Sequence, residues 1–325
     1  MTELEKIILD NIQYGFPVNP NPYATIAEKI SSTADEVYNA VASLREQRII
    51  RRIGASFNAA ALGYKSTLVA ARCSEDKIDE VAAFASGFSE VTHNYKRDGI
   101  YNLWFTVIAH GEKRLNRIIE ETAQCAGVDY IASLPSEKTY KIKVDFSFSE
   151  QKKIQTGVTG TGKQIKPLDN FPADEDKKII SLLCGDIGTS LNPYSSLADK
   201  LSITEGKLEE KISTYIENGA IRRFGAILFH RRAGLKGNGM AVWSVPVEKR
   251  DEIGLKLAQY TEITHCYARP PLPDWDFNLY SMVHAPTRGE CYEKVMEIAG
   301  ELGLGNHSVL FSTKEYKKSS MVYFQ

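Results

Sequence analysis

The chain has 325 residues, 43% of them hydrophobic and 25% charged, with a formal net charge of −1 and a pI near 6.6. That is ordinary soluble globular composition, long enough for two domains or more with buried cores. It argues against a nucleic acid partner held by overall positive charge, so any cationic site must be local.

Five scattered cysteines (Cys73, Cys125, Cys184, Cys266 and Cys291) contain no Cys-x-x-Cys pair, which fits neither a disulfide framework nor a zinc ribbon. The amino-terminal MTELEKIILDNIQ lacks a signal-peptide pattern, and no apolar run approaches the ~18 residues of a membrane span. A cytoplasmic location with reduced thiols and no membrane partner is the expectation.

Residues 3–14 place Leu4, Ile7, Ile8 and Ile12 at helical spacing. Two short amphipathic segments follow, PYATIAEKI and STADEVYNAVASLREQRII, with a break at Ser31-Ser32; Thr33 with Glu36 three positions on is a capping-box pattern. Three such helices predict a helix-turn-helix unit over 1–50. The period then changes to β, α, β, β, α, β: KSTLVAARC, EDKIDEVAAFASG, SEVTHNYKR, YNLWFTVIAH, EKRLNRIIEETAQCAG and VDYIASLP. That order predicts a ferredoxin-like domain over 51–146.

The same series then recurs. Asn21-Pro22-Tyr23 returns as Asn192-Pro193-Tyr194, Arg51-Arg52-Ile53-Gly54-Ala55 as Arg222-Arg223-Phe224-Gly225-Ala226, and Thr92-His93-Asn94-Tyr95 as Thr264-His265-Cys266-Tyr267. Lys138 and Tyr140 match Lys314 and Tyr316. Residues 147–172 are polar and rich in Gly, Thr and Lys and read as a linker. The second copy is then a helix-turn-helix unit over 173–221 and a ferredoxin-like domain over 222–325. The predicted fold class is α+β, a tandem duplication of a winged or helix-turn-helix unit plus a ferredoxin-like (βαββαβ) domain.

A helix-turn-helix reads base edges with the start of its second helix, flanked by cations on phosphates. Here that start carries Asp35 and Glu36 in one copy and Glu205 in the other, the wrong sign for a phosphate surface. No DNA partner is expected, and these helices read as structural or dimer-packing elements. On the sheet, residues two apart share a face, so His93, Tyr95 and Arg97 lie together, as do His265, Tyr267 and Arg269. The opposite face takes Thr92, Asn94 and Lys96, or Thr264, Cys266 and Ala268.

A helix-turn-helix followed by this sheet resembles the Lrp/AsnC regulators. The segments RRIGA, RRFGAILFHRRAGLK, THNYKRDGIYNLWFT and THCYARPPLPDWDFNLYSMVH resemble, more narrowly, the siroheme decarboxylases of that superfamily. In that family two homologous subunits pair; here both kinds stand in one chain, an intramolecular pseudo-dimer with further homodimerisation left open. The resemblance implies loss of two acetate carboxyl groups from siroheme, giving 12,18-didecarboxysiroheme for alternative haem or haem d1 synthesis. Siroheme and its decarboxylated products are then the partners, with no cofactor beyond the iron of the substrate. A ligand-responsive transcription regulator, sensing haem, amino acids or another small molecule, is the alternative.

A polycarboxylate iron macrocycle calls for guanidinium forks, proton donors and flat apolar walls. The catalytic candidates are His265, His93, Arg269 and Tyr267, the two histidines also being candidate axial ligands of the siroheme iron. The substrate-binding candidates are Arg51, Arg52, Tyr95, Arg97, Trp104, Arg222, Arg223, His230, Lys138 and Lys314. The second copy adds His230 where the first has Asn58 or Ala59, and inserts Pro270-Pro271-Leu272-Pro273-Asp274-Trp275. This proline-rich loop reads as a lid or pocket rim, and the second copy is expected to hold the active pocket.

Overall fold

The computed structural model describes residues 1–13, 15–142, 171–229 and 237–324. The first copy runs α1 (Glu3–Ile12), α2 (Pro22–Ile30), α3 (Ala34–Glu46), β1 (Ile50–Phe57), β2 (Tyr64–Cys73), α4 (Ile78–Gly87), β3 (Val91–Arg97), β4 (Leu103–His110), α5 (Glu112–Ala123), β5 (Val128–Pro135) and β6 (Lys138–Ile142). The second runs α6 (Asp174–Leu183), α7 (Pro193–Leu201), α8 (Glu205–Glu217), β7 (Ile221–Leu228), β8 (Gly237–Trp243), α9 (Arg250–Leu257), β9 (Ile263–Ala268), β10 (Leu279–Ala285), α10 (Arg288–Leu302) and β11 (His307–Lys318). The expected α+β duplication is therefore present. The two compact units, however, each draw on both copies: one gathers the helical modules with β1 and β7, the other gathers the sheet modules.

In the helical unit the capping box forms as read, Thr33 accepting from the Glu36 backbone while the Glu36 carboxylate returns to Thr33. Strands β1 and β7, which local pattern did not reveal, pair antiparallel with Gly54 opposite Gly225. Matched bonds flank this centre: Phe16 N to Phe224 O beside Ile187 N to Ile53 O, and Asn58 N to Ala220 O beside Phe229 N to Ile49 O. The double-arginine motif is thus the ladder joining the two helical modules about a pseudo-twofold axis.

Its glycines are explained by close approach. A Cβ on Gly225 would lie 2.3 Å from the Ile12 carbonyl oxygen, and one on Gly54 would lie 2.4 Å from that of Gly185. Backbone oxygens at a helix end cannot rotate away, so Gly225→Ala should cost about 1–3 kcal/mol through forced displacement of the ladder. A thermal melt unchanged from wild type would contradict this packing.

The sheet unit holds a nine-stranded sheet in the order β5-β2-β4-β3-β11-β8-β10-β9-β6, with every pairing antiparallel. β5-β2-β4-β3 is one ferredoxin-like half and β11-β8-β10-β9 the other. The end of each copy crosses into the other: β6 pairs with β9, and the distal part of β11 pairs with β3. A clasp secures each crossing. Asp251 on α9 takes the Lys138 ammonium and the Tyr140 hydroxyl, both at 2.6 Å, and Asp79 on α4 takes the Lys314 ammonium at 2.9 Å with the Tyr316 hydroxyl. Two cores pack helices against their own half of the sheet, one around Val69, Val81 and Phe105 and one around Trp243, Leu257 and Val295. A third lies on the helix-free face and mixes the copies: Tyr101, Trp104 and Leu134 with Val242, Trp275 and Tyr280.

Candidate active site

Both histidines sit beside a register shift. Val91 and His93 face Val107 and Thr106, neighbours on β4, so β3 carries one extra residue; β9 does the same, with Ile263 and His265 facing Val283 and Met282. Such a bulge re-aims side chains. Instead of pointing to opposite faces, Thr92 and His93 meet, Oγ1 to Nδ1 at 3.0 Å, and Thr264 and His265 meet at 2.9 Å. The assignment of Thr92 and Thr264 to the opposite face is corrected accordingly. Asn94 does face the helix side, bonding the Ala82 carbonyl and the Ser86 hydroxyl on α4.

The expected triplets are real. The His93 ring lies 6.2 Å from the Tyr95 ring and Arg97 lies 5.4 Å from that ring; His265 lies 6.1 Å from Tyr267, with Arg269 4.9 Å from it. Arg269 also lies 5.9 Å from the ring of Tyr280. Each guanidinium is tied to a carbonyl of the other copy, Arg97 to Leu310 at 2.8 Å and Arg269 to Leu134. Among the described residues no carboxylate pairs with either, and the Nε of each is buried without a hydrogen-bond partner. Burial pushes Arg97 down to about 10 and lowers Arg269 likewise, the expected response of a cation removed from water without a counter-charge. Arg97 reaches a cleft of about 540 Å³ bordered also by Lys96, Asn102 and Lys314.

The copies differ on β10. His284, half-buried and unnoticed as a candidate from sequence, places Nε2 2.9 Å from the Thr264 hydroxyl that already bonds His265. Desolvation first, then the Lys318 ammonium, hold His284 down at about 4. The inserted loop is no free lid. Trp275 is 6% exposed and lies 5.6 Å from Tyr101 and 5.9 Å from Trp104, its indole N–H donates to the Tyr280 hydroxyl, and Tyr101 donates to the Pro273 carbonyl. Swinging this loop would withdraw a tryptophan from a core, so it is a fixed wall.

Other candidates move. Trp104 is 1% exposed with its N–H satisfied by the Tyr101 carbonyl, so it is core and offers no surface to a macrocycle. Lys138 and Lys314 each pair with an aspartate in the clasps, which gives both a role in securing the crossings. Arg51, Arg52, Arg222 and Arg223 all lie on the β1–β7 ladder of the helical unit, a different unit from the histidines. Arg52 spends its guanidinium on the Gly185 and Ala55 carbonyls and Arg222 bonds the Phe57 carbonyl, which gives both a packing role there. His230 lies outside the described residues. Among the described residues no cluster of His, Cys, Asp and Glu could hold a metal ion, and no helix is long and apolar enough to cross a membrane.

The AsnC-like ligand binding domain family matches residues 61–141 and 232–317, and the siroheme decarboxylase NirDL-like HTH domain family matches residues 5–51. A siroheme decarboxylase of Hydrogenobacter thermophilus is 31% identical across 99% of this chain and 95% of its own. The chain belongs to the siroheme decarboxylase family. A family member known as the alpha subunit in Oleidesulfovibrio alaskensis is 43% identical but spans 46% of this chain and 91% of its own, so this chain is the fused form. The crystal structure of the family member NirDL in complex with an iron-uroporphyrin III analogue superposes with a TM-score of 0.75 at 27% identity, covering 100% of this chain and 95% of that one.

Proposed function

We infer that this chain decarboxylates siroheme, removing two acetate carboxyl groups to give 12,18-didecarboxysiroheme. The observation that carries the reading is the pair of guanidiniums of Arg97 and Arg269, each with a buried, unpartnered Nε, each against a phenol that neighbours an imidazole, and neither neutralised by a described carboxylate. A charge left in that state is stabilised by an incoming anion, and a tetrapyrrole polycarboxylate supplies several. The iron enters as part of this substrate, as it does in the analogue bound to NirDL.

Each decarboxylation consumes one proton and releases one carbon dioxide. Protonation of the ring carbon next to the acetate lets the electron pair of the breaking C–C bond flow into the macrocycle. The exocyclic carbon then takes up a proton to become a methyl group while the ring carbon gives one back. The macrocycle is the electron sink, so the protein has to fix the remaining carboxylates and manage protons. Arg97 and Arg269 serve the first task, and His265, His93 and the flanking Tyr267 and Tyr95 the second.

Incubating the purified chain with siroheme without oxygen and weighing the product tests the reading. A mass lower by two molecules of carbon dioxide is expected; unchanged siroheme that nevertheless binds would leave a carrier and end the enzyme assignment. The same preparation should show no steeply salt-dependent binding to duplex DNA, because α3 and α8 open with Asp35, Glu36 and Glu205. Tight duplex binding would instead favour a regulator.

A further inference from the structure

Among the described residues, His284 is the one imidazole recorded joining a candidate histidine through a hydroxyl, and its counterpart in the first copy is an aliphatic side chain. The equivalence is fixed by the backbone: Ile108 N donates to Glu90 O and His284 N donates to Glu262 O, at 2.9 and 3.0 Å. Thr264 therefore stands between two imidazoles, His265 Nδ1 and His284 Nε2, each 2.9 Å from its hydroxyl. Thr92 has His93 on one side and Ile108 at the place of the second ring.

A hydroxyl has one hydrogen to give. With two ring nitrogens in contact, Thr264 can donate to only one of them, so at least one ring presents an N–H to it; the arrangement that spends its hydrogen between the rings has it accept from one and donate to the other, which ties the tautomer of His265 to that of His284. Of the groups near His284, Lys318 is a cation, and Glu262, whose carbonyl takes the His284 backbone N–H, has its carboxylate 3.5 Å from Lys294. No carboxylate is recorded acting on the His284 ring among the described residues, so the ring stays neutral and keeps a single N–H.

We propose that His284 is a positioning residue: it donates from Nε2 to Thr264, Thr264 donates to His265 Nδ1, and the proton of His265 is thereby held on Nε2, ready for the substrate. This rests on the decarboxylase reading for its purpose, though the hydrogen-bond relay itself does not. It also gives the second copy a proton-holding relay that the first copy lacks.

The test uses the full chain in three forms, wild type, His284→Ile to copy the first half, and His284→Gln to keep a hydrogen-bonding group near the lost nitrogen. Imidazole 15N shifts of His265, recorded without substrate, report its tautomer; turnover of siroheme reports catalysis. In wild type the Nε2–H form should dominate. In His284→Ile it should give way to a mixture, with kcat down about tenfold and KM little changed, as for other residues that orient a reacting group through a neighbour. His284→Gln should recover part of both. A His265 tautomer and kcat indifferent to both substitutions overturns the relay, and so does a wild-type His265 protonated on Nδ1. Absence of any turnover by wild type would instead strike the decarboxylase reading, with the 15N shifts still judging the relay. Should His284→Ile fail to fold, the comparison of wild type with His284→Gln decides alone.

Discussion

Replacing His265 by alanine should lower carbon dioxide release from siroheme by about 100-fold or more, the usual contribution of a positioned proton donor. His93→Ala should cost less, because Thr92 engages His93 with Ile108 where the second copy has His284. Both changes remove a half-buried ring near an existing bulge, so the folded state should survive, and thermal melts serve as the control. The informative quantity is the ratio of kcat values. If the two variants are equally and fully active, neither imidazole handles the proton and the proposed roles of both triplets fall. If His93→Ala is the worse one, the active pocket belongs to the first copy.

The second large effect concerns Arg269, whose guanidinium lies near the rings of Tyr267 and Tyr280 and donates to the Leu134 carbonyl, with no carboxylate partner among the described residues. Arg269→Met keeps the bulk and removes the uncompensated charge. Replacing buried charges by apolar groups of similar size is often neutral or stabilising, so the melting temperature should hold or rise. Substrate binding should weaken by roughly 10- to 100-fold, the size of one lost charge-assisted hydrogen bond of about 1.5–3 kcal/mol. Arg269→Lys should restore only part of this, since an ammonium cannot bond a carboxylate through two parallel donors. A fall in melting temperature with unchanged KM would show that the residue ties β9 to the neighbouring copy and does not meet substrate.

Much of this was legible in the chain itself. The repeat, the Thr33 cap, the βαββαβ order and the shared face of His93, Tyr95 and Arg97 all follow from local period, and the structure bears each out. What local period cannot carry is a partner far away in sequence. β1 pairs with β7 across the whole first copy, and nothing in RRIGAS announces that its glycine meets another glycine. The crossings of β6 and β11 are hidden for the same reason, and with them the fate of Lys138 and Lys314. The bulges at Thr92 and Thr264 upset simple alternation by a single residue. His284 was visible at the end of the THCYARPPLPDWDFNLYSMVH segment, but its role depends on the β9–β10 register. Trp104 shows the limit of composition: an aromatic on a strand suits a macrocycle wall and a core equally, and burial decides.

The crossing of β6 and β11 has a bearing on why such a chain is a single polypeptide. Each half finishes the other's sheet, so severed halves should still find one another, much as relatives exist as separate alpha and beta subunits. Two free halves with such similar docking edges could also join like with like, giving assemblies with two copies of His284 or with none. Covalent continuity raises the local concentration of the dissimilar mate far above that of any stranger, so every molecule carries one half of each kind in fixed proportion.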